Sequence, residues 1–237
     1  MISEVTFSKL YTSFWNSLLI NSKNYVRLVN GALIKDIHKP ISSYSSKYNA
    51  YINVLSFELY EQSLDKGNLL FTQQEIDSAC QFSFDKVSSF TSFYKSAQIP
   101  PYTEIQNEVT FILESLTAQY QYKAPIIRKP LEGIGILNHS EVDLMYSSTL
   151  VEIKSGDRKF KTLDFRQVII YLTQNHYSSH PVLIDRVELF NPRMGIIFNT
   201  DIDSMIYELT ALTPNEVYEE VKNYLCEHNL LVNDIIK

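Results

Sequence analysis

Proline and glycine are spread very unevenly along the 237-residue chain, and this distribution constrains the fold more than any other feature. Residues 1–99 contain one proline and two glycines, whereas seven prolines and four glycines follow, beginning with Pro100 and Pro101. Because both residue types interrupt helices, the first part can form long helices and the second part is rich in turns. The double proline therefore predicts a helical region, residues 1–99, followed by a second domain, residues 100–237.

Apolar residues in the first region recur at spacings of three and four, which is typical of packed helices. This pattern predicts helices over residues 6–29, 45–64 and 73–95. Thr72 and Glu75 have the spacing of a capping box at the start of the third helix. We expect a helical bundle that binds a protein partner or a second copy of the chain.

The composition excludes several classes of protein. A hydrophobic content of 45% and an aromatic content of 13% exclude a disordered chain. No run of about 18 apolar residues predicts a membrane span. Two cysteines, Cys80 and Cys226, are too few for a disulfide framework and predict no zinc site. We expect a soluble, cytoplasmic protein that does not bind membranes.

A formal net charge of −6 argues at first against a nucleic-acid partner, because phosphate binding relies on Lys and Arg. The acidic excess, however, lies in residues 201–237, which carry two basic and eight acidic side chains, while residues 100–200 carry ten and eleven. Residues 154–166 hold five basic side chains against two acidic ones. The composition therefore permits a nucleic-acid partner at a local basic patch.

After Pro101 the hydrophobic period alternates between helix and strand. Helical periods cover residues 104–118 and 164–174, and extended segments cover 124–128, 134–137, 141–146, 149–155, 182–190 and 195–202. A last helix begins at Thr213, where a capping residue, a first-turn proline and Glu216 follow in order. This order predicts an α/β domain with a mixed sheet between helices and an acidic C-terminal helix.

The segment 141–154 is the most informative part of the chain. If Ser147 and Ser148 form a two-residue hairpin loop, residues pair when their numbers sum to 295. Asp143 then faces Glu152, and Glu141 faces Lys154, on one side of the sheet. The other side carries the apolar residues Val142, Leu144, Val151 and Ile153.

Two carboxylates directly opposite each other repel, so something should compensate their charge. A divalent cation does so: Asp143, Glu152 and a backbone carbonyl beside Glu152 would hold Mg²⁺ or Mn²⁺ and leave positions for water and a phosphate. Lys154 points to the same side. It would orient or deprotonate an attacking water, or stabilise charge that develops on a phosphate.

The arrangement of Asp143 and Glu152-Ile153-Lys154 resembles the PD-(D/E)XK nuclease superfamily, the fold of many restriction enzymes. Downstream, Gln167 and Tyr171 lie at i and i+4 of a predicted helix and resemble the Gln-x-x-x-Tyr signature of the branch that includes the RecB nuclease domain and lambda exonuclease. The superfamily also implies a glutamate from a helix before the first strand. Glu108 fits best, with Glu104 and Glu114 as alternatives.

The resemblance implies a restriction-endonuclease-like mixed sheet flanked by helices and a metal-dependent hydrolysis of phosphodiester bonds, with DNA favoured over RNA. Asp143, Glu152 and Glu108 would bind metal, Lys154 would position water, and Gln167 with Tyr171 would support the site. The expected contacts to the nucleic acid are Arg158, Lys159, Lys161 and Arg166. A small acidic nuclease with a helical half also resembles effectors of bacterial antiphage systems, which suggests a defence role.

Other interpretations remain open. The fold could serve as a catalytically inactive module that binds nucleic acid or protein. Glu141 and Lys154 could be a simple cross-strand ion pair, Gln167 and Tyr171 could only pack, and the basic cluster could be a solvated loop. We interpret His176 and His180 as surface residues. Arg193 lies in a predicted hairpin turn, from which it could reach a phosphate.

Overall fold

The computed structural model describes residues 1–90, 93–94 and 97–235, which form a mixed α/β structure with a six-stranded sheet. The α-helices of this described part are α1 (Glu4–Leu10), α2 (Thr12–Leu18), α3 (Ser22–Leu28), α4 (Asn49–Lys66), α5 (Gln73–Phe90), α6 (Tyr102–Tyr120), α7 (Thr162–His176), α8 (Ile202–Thr210) and α9 (Pro214–Ile235). A π-helical turn covers Val29–Leu33, and short 3₁₀ helices cover Ser46–Tyr48 and Gln121–Lys123. The strands are β1 (Lys35–Asp36), β2 (Ile126–Leu131), β3 (Ser140–Tyr146), β4 (Thr149–Ile153), β5 (Arg186–Asn191) and β6 (Ile196–Asp201).

The strand order across the sheet is β1-β6-β5-β4-β3-β2. Strands β2, β3 and β4 form an antiparallel meander, and β5 pairs parallel to β4. A parallel neighbour requires a crossover connection, which α7 supplies between β4 and β5. The mixed sheet and the N-terminal helices confirm the predicted fold class.

Each face of the sheet packs against its own set of helices. Leu150 of β4 lies in a core with residues of α1–α3 and α7–α9. The next residue, Val151, lies in a second core with residues of α4, α5 and α6. Successive strand side chains point to opposite faces. The two cores therefore cover both faces, and α6 and α7 lie on opposite sides of the sheet.

The predicted division between residues 1–99 and 100–237 does not separate two cores. Phe7 and Trp15 are buried in the first core beside residues of α7, and Tyr51 and Leu55 are buried in the second core beside residues of α6. Strand β1 also pairs with β6. The N-terminal helices are therefore part of the body that carries the sheet, because their apolar faces are buried against it.

The predicted helix 6–29 is wrong as a single element, because the chain forms three short helices there. Tyr11 and Leu19 leave the helical conformation, with φ/ψ of −88°/54° and −96°/62°. These breaks allow α1 and α2 to fold together: the Trp15 indole donates to the Phe7 carbonyl at 2.9 Å, and the two rings lie 5.1 Å apart. The free energy gained by burying both rings outweighs the preference of the apolar spacing for one continuous helix.

The remaining predictions agree with the structure to different degrees. Reciprocal bonds confirm the capping boxes at Thr72 and Thr213. The end of predicted helix 73–95 lies partly outside the described residues. The extended segment predicted at 134–137 is a tight turn, in which Ile134 and Leu137 exchange two hydrogen bonds around a left-handed Gly135. Within the described ranges, no helix has the length and apolar content needed to cross a bilayer.

Edge strand β2 carries two local irregularities. Arg128 has a φ of +49°, a left-handed conformation that is uncommon for a residue with a side chain. Its guanidinium is held by Glu58 at 2.8 Å and Glu61 at 3.2 Å, both on α4. Pro130, two residues later, has no backbone N–H to donate. The extended backbone of this edge is therefore interrupted.

Candidate active site

The hairpin of β3 and β4 has the predicted register. A two-residue turn at Ser147 and Ser148 joins the strands, and the pairs Tyr146–Thr149, Met145–Leu150 and Leu144–Val151 all sum to 295. The pairing ends at Leu144 and Val151. Beyond this last pair, a hydrogen bond between a side chain and the backbone connects the two strands.

Asp143 makes that bond. Its Oδ2 accepts the backbone N–H of Ile153 at 2.8 Å. Val142 is buried in the core on the α7 side, so the prediction that it shares a face with Leu144 and Val151 is wrong. The strands separate here because the Asp143 carboxylate takes an amide that a regular ladder would pair with a carbonyl.

Lys154 connects the strand motif to α7. Its Nζ donates to Glu152 Oε1 at 2.5 Å and to Gln167 Oε1 at 2.6 Å. The Gln167 amide in turn donates to the Tyr171 hydroxyl at 2.6 Å. Residues of two separate sequence motifs, 13 positions apart at their closest, therefore form one hydrogen-bonded chain.

The electrostatics of the two carboxylates are unusual. Glu152 is 3% exposed, and burial, reinforced by the negative charge of Asp143, raises its pKa to about 8. Burial also raises the pKa of Asp143, although the Ile153 N–H and the charge of Lys154 oppose this effect. Carboxyl groups that resist ionisation in the absence of a cation are typical of functional sites.

The same two carboxylates also shift the pKa values of Lys154 and Tyr171. Burial alone would lower the pKa of Lys154, but the charges of Glu152, Asp164 and Asp143 outweigh it and the net pKa is raised. The pKa of Tyr171 is raised well above its ordinary value by burial and by the same two carboxylates of the strand motif. Lys154 is therefore an ammonium at neutral pH, and Tyr171 is a neutral hydroxyl.

The arrangement of Asp143 and Glu152 fits a divalent cation. Oε2 of Glu152 is buried and finds no hydrogen-bond partner among the described residues. A buried carboxylate oxygen without a partner is costly unless a cation or a donor reaches it. Mg²⁺ is commonly bound by one or two carboxylates, with water and phosphate as further ligands. Asp143 and Glu152 can supply such a pair.

Glu108 does not join this pair. It projects from α6 on the opposite side of the sheet, where it forms an ion pair with Arg193 and accepts the backbone N–H of Tyr44 at 2.6 Å. The described part of the chain contains no group of three or more His, Cys, Asp or Glu side chains placed to hold a metal. Of the two alternatives, Glu104 accepts the Tyr44 hydroxyl and Glu114 is exposed.

Most residues of the predicted basic patch are engaged within the protein. Arg158 forms two bonds with Asp164 at 2.7 and 2.8 Å, and Lys159 donates to the carbonyl of Asn30 at 2.8 Å. Arg166, predicted as a nucleic-acid contact, is 7% exposed and donates to the carbonyl of Ser8, so little of its side chain is accessible to a nucleic acid. Lys161 is exposed.

Arg193 lies in the turn between β5 and β6, as predicted. It is completely buried, so it does not reach a phosphate. His176 and His180 are exposed, as predicted. Sequence reasoning missed the contacts of Arg193 because arginine in an Asn-Pro-Arg turn is typical of a surface, and no local signal marks its distant partners.

No protein-family model matches the chain, and no curated protein matches it. Membership of a nuclease superfamily is therefore a proposal that depends on the residues and their geometry.

Proposed function

We propose that this protein is a metal-dependent nuclease of the PD-(D/E)XK type that hydrolyses phosphodiester bonds, with DNA as the expected substrate rather than RNA. The observation that carries the proposal is the bonding of Lys154 to both Glu152 and Gln167. The strand motif and the helix motif, which resemble the superfamily separately, thus meet at one ammonium group. A mixed sheet with helices on both faces is also what the resemblance implies.

Asp143 and Glu152 would hold Mg²⁺ or Mn²⁺. When bound, the ion would supply a Lewis acid that polarises the phosphate and lowers the pKa of water. Lys154, protonated at neutral pH, is suited to donate to the attacking water or to a phosphate oxygen rather than to abstract a proton. Gln167 holds the ammonium in place, and Tyr171 fixes the orientation of the Gln167 amide.

The contacts of the basic residues support weak, salt-sensitive binding of the substrate. Phosphate contacts supply most of the affinity for DNA, and Arg158, Lys159 and Arg166 already have partners in the protein. A protein partner or a second copy of the chain would then help to deliver the substrate. A cytoplasmic antiphage effector that becomes active in an assembly is consistent with this picture and is part of the proposal.

Cleavage assays test the proposal directly. The purified protein is incubated with single- and double-stranded DNA and RNA in Mg²⁺, Mn²⁺ or EDTA, beside Glu152→Ala and Lys154→Ala. We expect products that require metal, with rates reduced by about 10²-fold or more in both variants. Glu141→Gln is the control, because Glu141 is an exposed carboxylate on the neighbouring strand β3. Cleavage by the two variants at the wild-type rate would refute the assignment.

A second candidate function is a catalytically inactive module that binds nucleic acid or protein. The internal hydrogen bonds of Arg158, Lys159 and Arg166 favour the protein-binding form of this candidate, because few of the predicted phosphate contacts are available for nucleic acid. This candidate predicts no cleavage of any substrate with either metal, together with binding of nucleic acid or a partner that Glu152→Ala leaves unchanged.

A further inference from the structure

Arg193 lies in the turn between β5 and β6, and its side chain is completely buried. Its Nε donates to the carbonyl of Ser155 at 2.7 Å, and Nη2 donates to Asn53 Oδ1 at 2.9 Å. Its Nη1 bonds to Glu108 and reaches the Ser43 hydroxyl at 3.2 Å. All three guanidinium nitrogens therefore have partners, which come from four distant parts of the chain.

The carbonyl of Ser155 receives a second donor, because Asn53 Nδ2 also bonds to it at 3.1 Å. Ser155 follows Lys154 directly, at the point where β4 has ended and the chain turns towards α7. Asn191, two residues before Arg193, donates to the carbonyls of Gly156 and Arg158 at 2.9 Å each. Asn191 at the end of β5 and Arg193 in the following turn thus hold the start of the segment between the strand motif and the helix motif, at Ser155, Gly156 and Arg158.

Glu108 supplies the charge that makes a buried guanidinium tolerable. It is 4% exposed, and the second nearby carboxylate, Asp157, lies farther away, with Oδ1 at 3.6 Å from Arg193 Nε. Removing one partner of a buried ion pair leaves the other charge uncompensated. The ion pair with Arg193 therefore accounts for the burial of the Glu108 carboxylate, and no role in binding metal is needed to explain it.

We infer that Arg193 is a positioning residue of the proposed nuclease site: with Glu108 as its counter-ion, it holds the Ser155 carbonyl and so fixes the strand end that carries Glu152 and Lys154. The inference rests on the proposed function for its catalytic consequence, but the restraint on the strand end can be measured without any metal or substrate. Arginine is suited to this task because its planar fork donates in several fixed directions, whereas lysine offers a single ammonium.

The test compares Arg193→Lys and Glu108→Gln with a control that makes the same chemical change elsewhere. Glu188 of β5 is 3% exposed and accepts the hydroxyls of Tyr120 at 2.7 Å and Tyr146 at 3.2 Å, so Glu188→Gln also removes a buried carboxylate. The first readout is hydrogen exchange at the amides of Ile153 and Lys154 in the metal-free protein. The second is Mn²⁺ affinity by calorimetry, and the third is kcat and KM for cleavage.

We expect Arg193→Lys to speed exchange at Ile153 and Lys154 at least tenfold, to weaken Mn²⁺ binding about tenfold, and to lower kcat with little change in KM. Glu188→Gln should leave all three readouts at wild-type values, even where it lowers Tm. If Arg193→Lys does not fold, Asn53→Ala replaces it, because that variant removes the second donor to the Ser155 carbonyl.

Wild-type exchange in Arg193→Lys and Asn53→Ala would overturn the inference, and so would equally fast exchange in Glu188→Gln. A loss of Mn²⁺ binding in Glu108→Gln with unchanged exchange would also overturn it, since Glu108 would then be a metal ligand. A wild-type protein that binds no Mn²⁺ and cleaves nothing refutes the proposed function and the catalytic consequence, while the exchange data still decide whether Arg193 holds the strand end.

Discussion

Replacing Glu152 by glutamine should stabilise the metal-free protein while it removes the proposed activity. The buried carboxylate has a pKa of about 8 in the folded protein, compared with an ordinary value of 4.5. Between these two pH values the folded protein holds a proton that the unfolded chain has lost. Stability therefore falls as pH rises through this window, and the loss is complete above pH 8.

The size of the effect follows from the difference between the two pKa values. At about 1.4 kcal/mol for each pH unit, the ionised Glu152 destabilises the folded protein by at most about 5 kcal/mol at high pH. Glutamine is neutral at every pH and keeps an oxygen that can accept from Lys154. The free energy of unfolding of Glu152→Gln should thus exceed that of the wild type by about 2–5 kcal/mol at pH 8.5 and match it more closely near pH 5.

Urea unfolding in EDTA at a series of pH values from 5 to 8.5 measures this difference. Glu188→Gln serves as the control for removal of a buried carboxylate outside the site. Saturating Mn²⁺ should reverse the order at pH 8.5, because an ion that binds only the folded wild type stabilises it by mass action. A Glu152→Gln protein that is less stable than the wild type at pH 8.5 in EDTA, or a difference that does not change with pH, would refute the reasoning.

Two other predictions concern the fold and the substrate. Gly195 has a φ of +64°, and a Cβ added there would lie 2.2 Å from the His38 carbonyl oxygen, so Gly195→Ala should cost about 2–4 kcal/mol in urea unfolding. Gly31→Ala is the control, because a Cβ at Gly31 meets nothing within 4 Å; equal losses would contradict the prediction. For DNA binding, Lys161→Ala should lower the slope of log K against log salt concentration by about one, since Lys161 is exposed. Arg166→Lys should lower Tm and leave that slope unchanged, because Arg166 is buried on the Ser8 carbonyl; a reduced slope in this variant would contradict the structure.

Local patterns were sufficient to predict the hairpin that carries Asp143 and Glu152. The length of the Ser147-Ser148 turn determines the register, and strand alternation correctly places Leu144 and Val151 on one face, but it fails at Val142, where the regular pairing has ended. The sequence also predicted that Gln167 and Tyr171 lie on the same face of a helix, since side chains four residues apart do so. The register did not predict that the Asp143 carboxylate accepts the backbone N–H of Ile153, because this hydrogen bond replaces a backbone-to-backbone bond of the regular ladder.

Glu108 and Arg193 show where such reasoning fails. Helix α6 offers three glutamates, and their local sequence does not reveal that α6 lies on the sheet face away from Lys154. Arg193 and Glu108 are 85 residues apart, so their pairing depends on the assembled sheet and its two helical layers. The helix breaks at Tyr11 and Leu19 have the same origin, because the burial of Phe7 and Trp15 against α7 decides them.

The irregular edge strand β2 has a consequence for how copies of this protein can meet. An exposed strand invites a strand of another molecule to extend the sheet, and natural proteins discourage this with prolines and interruptions of the extended backbone. Pro130 and the left-handed Arg128 do so on β2, and the opposite edge, β1, is only two residues long. Strand exchange and fibrillar stacking are thus disfavoured at both ends of the sheet, and assembly into dimers or larger complexes should proceed through the outer surfaces of the helices.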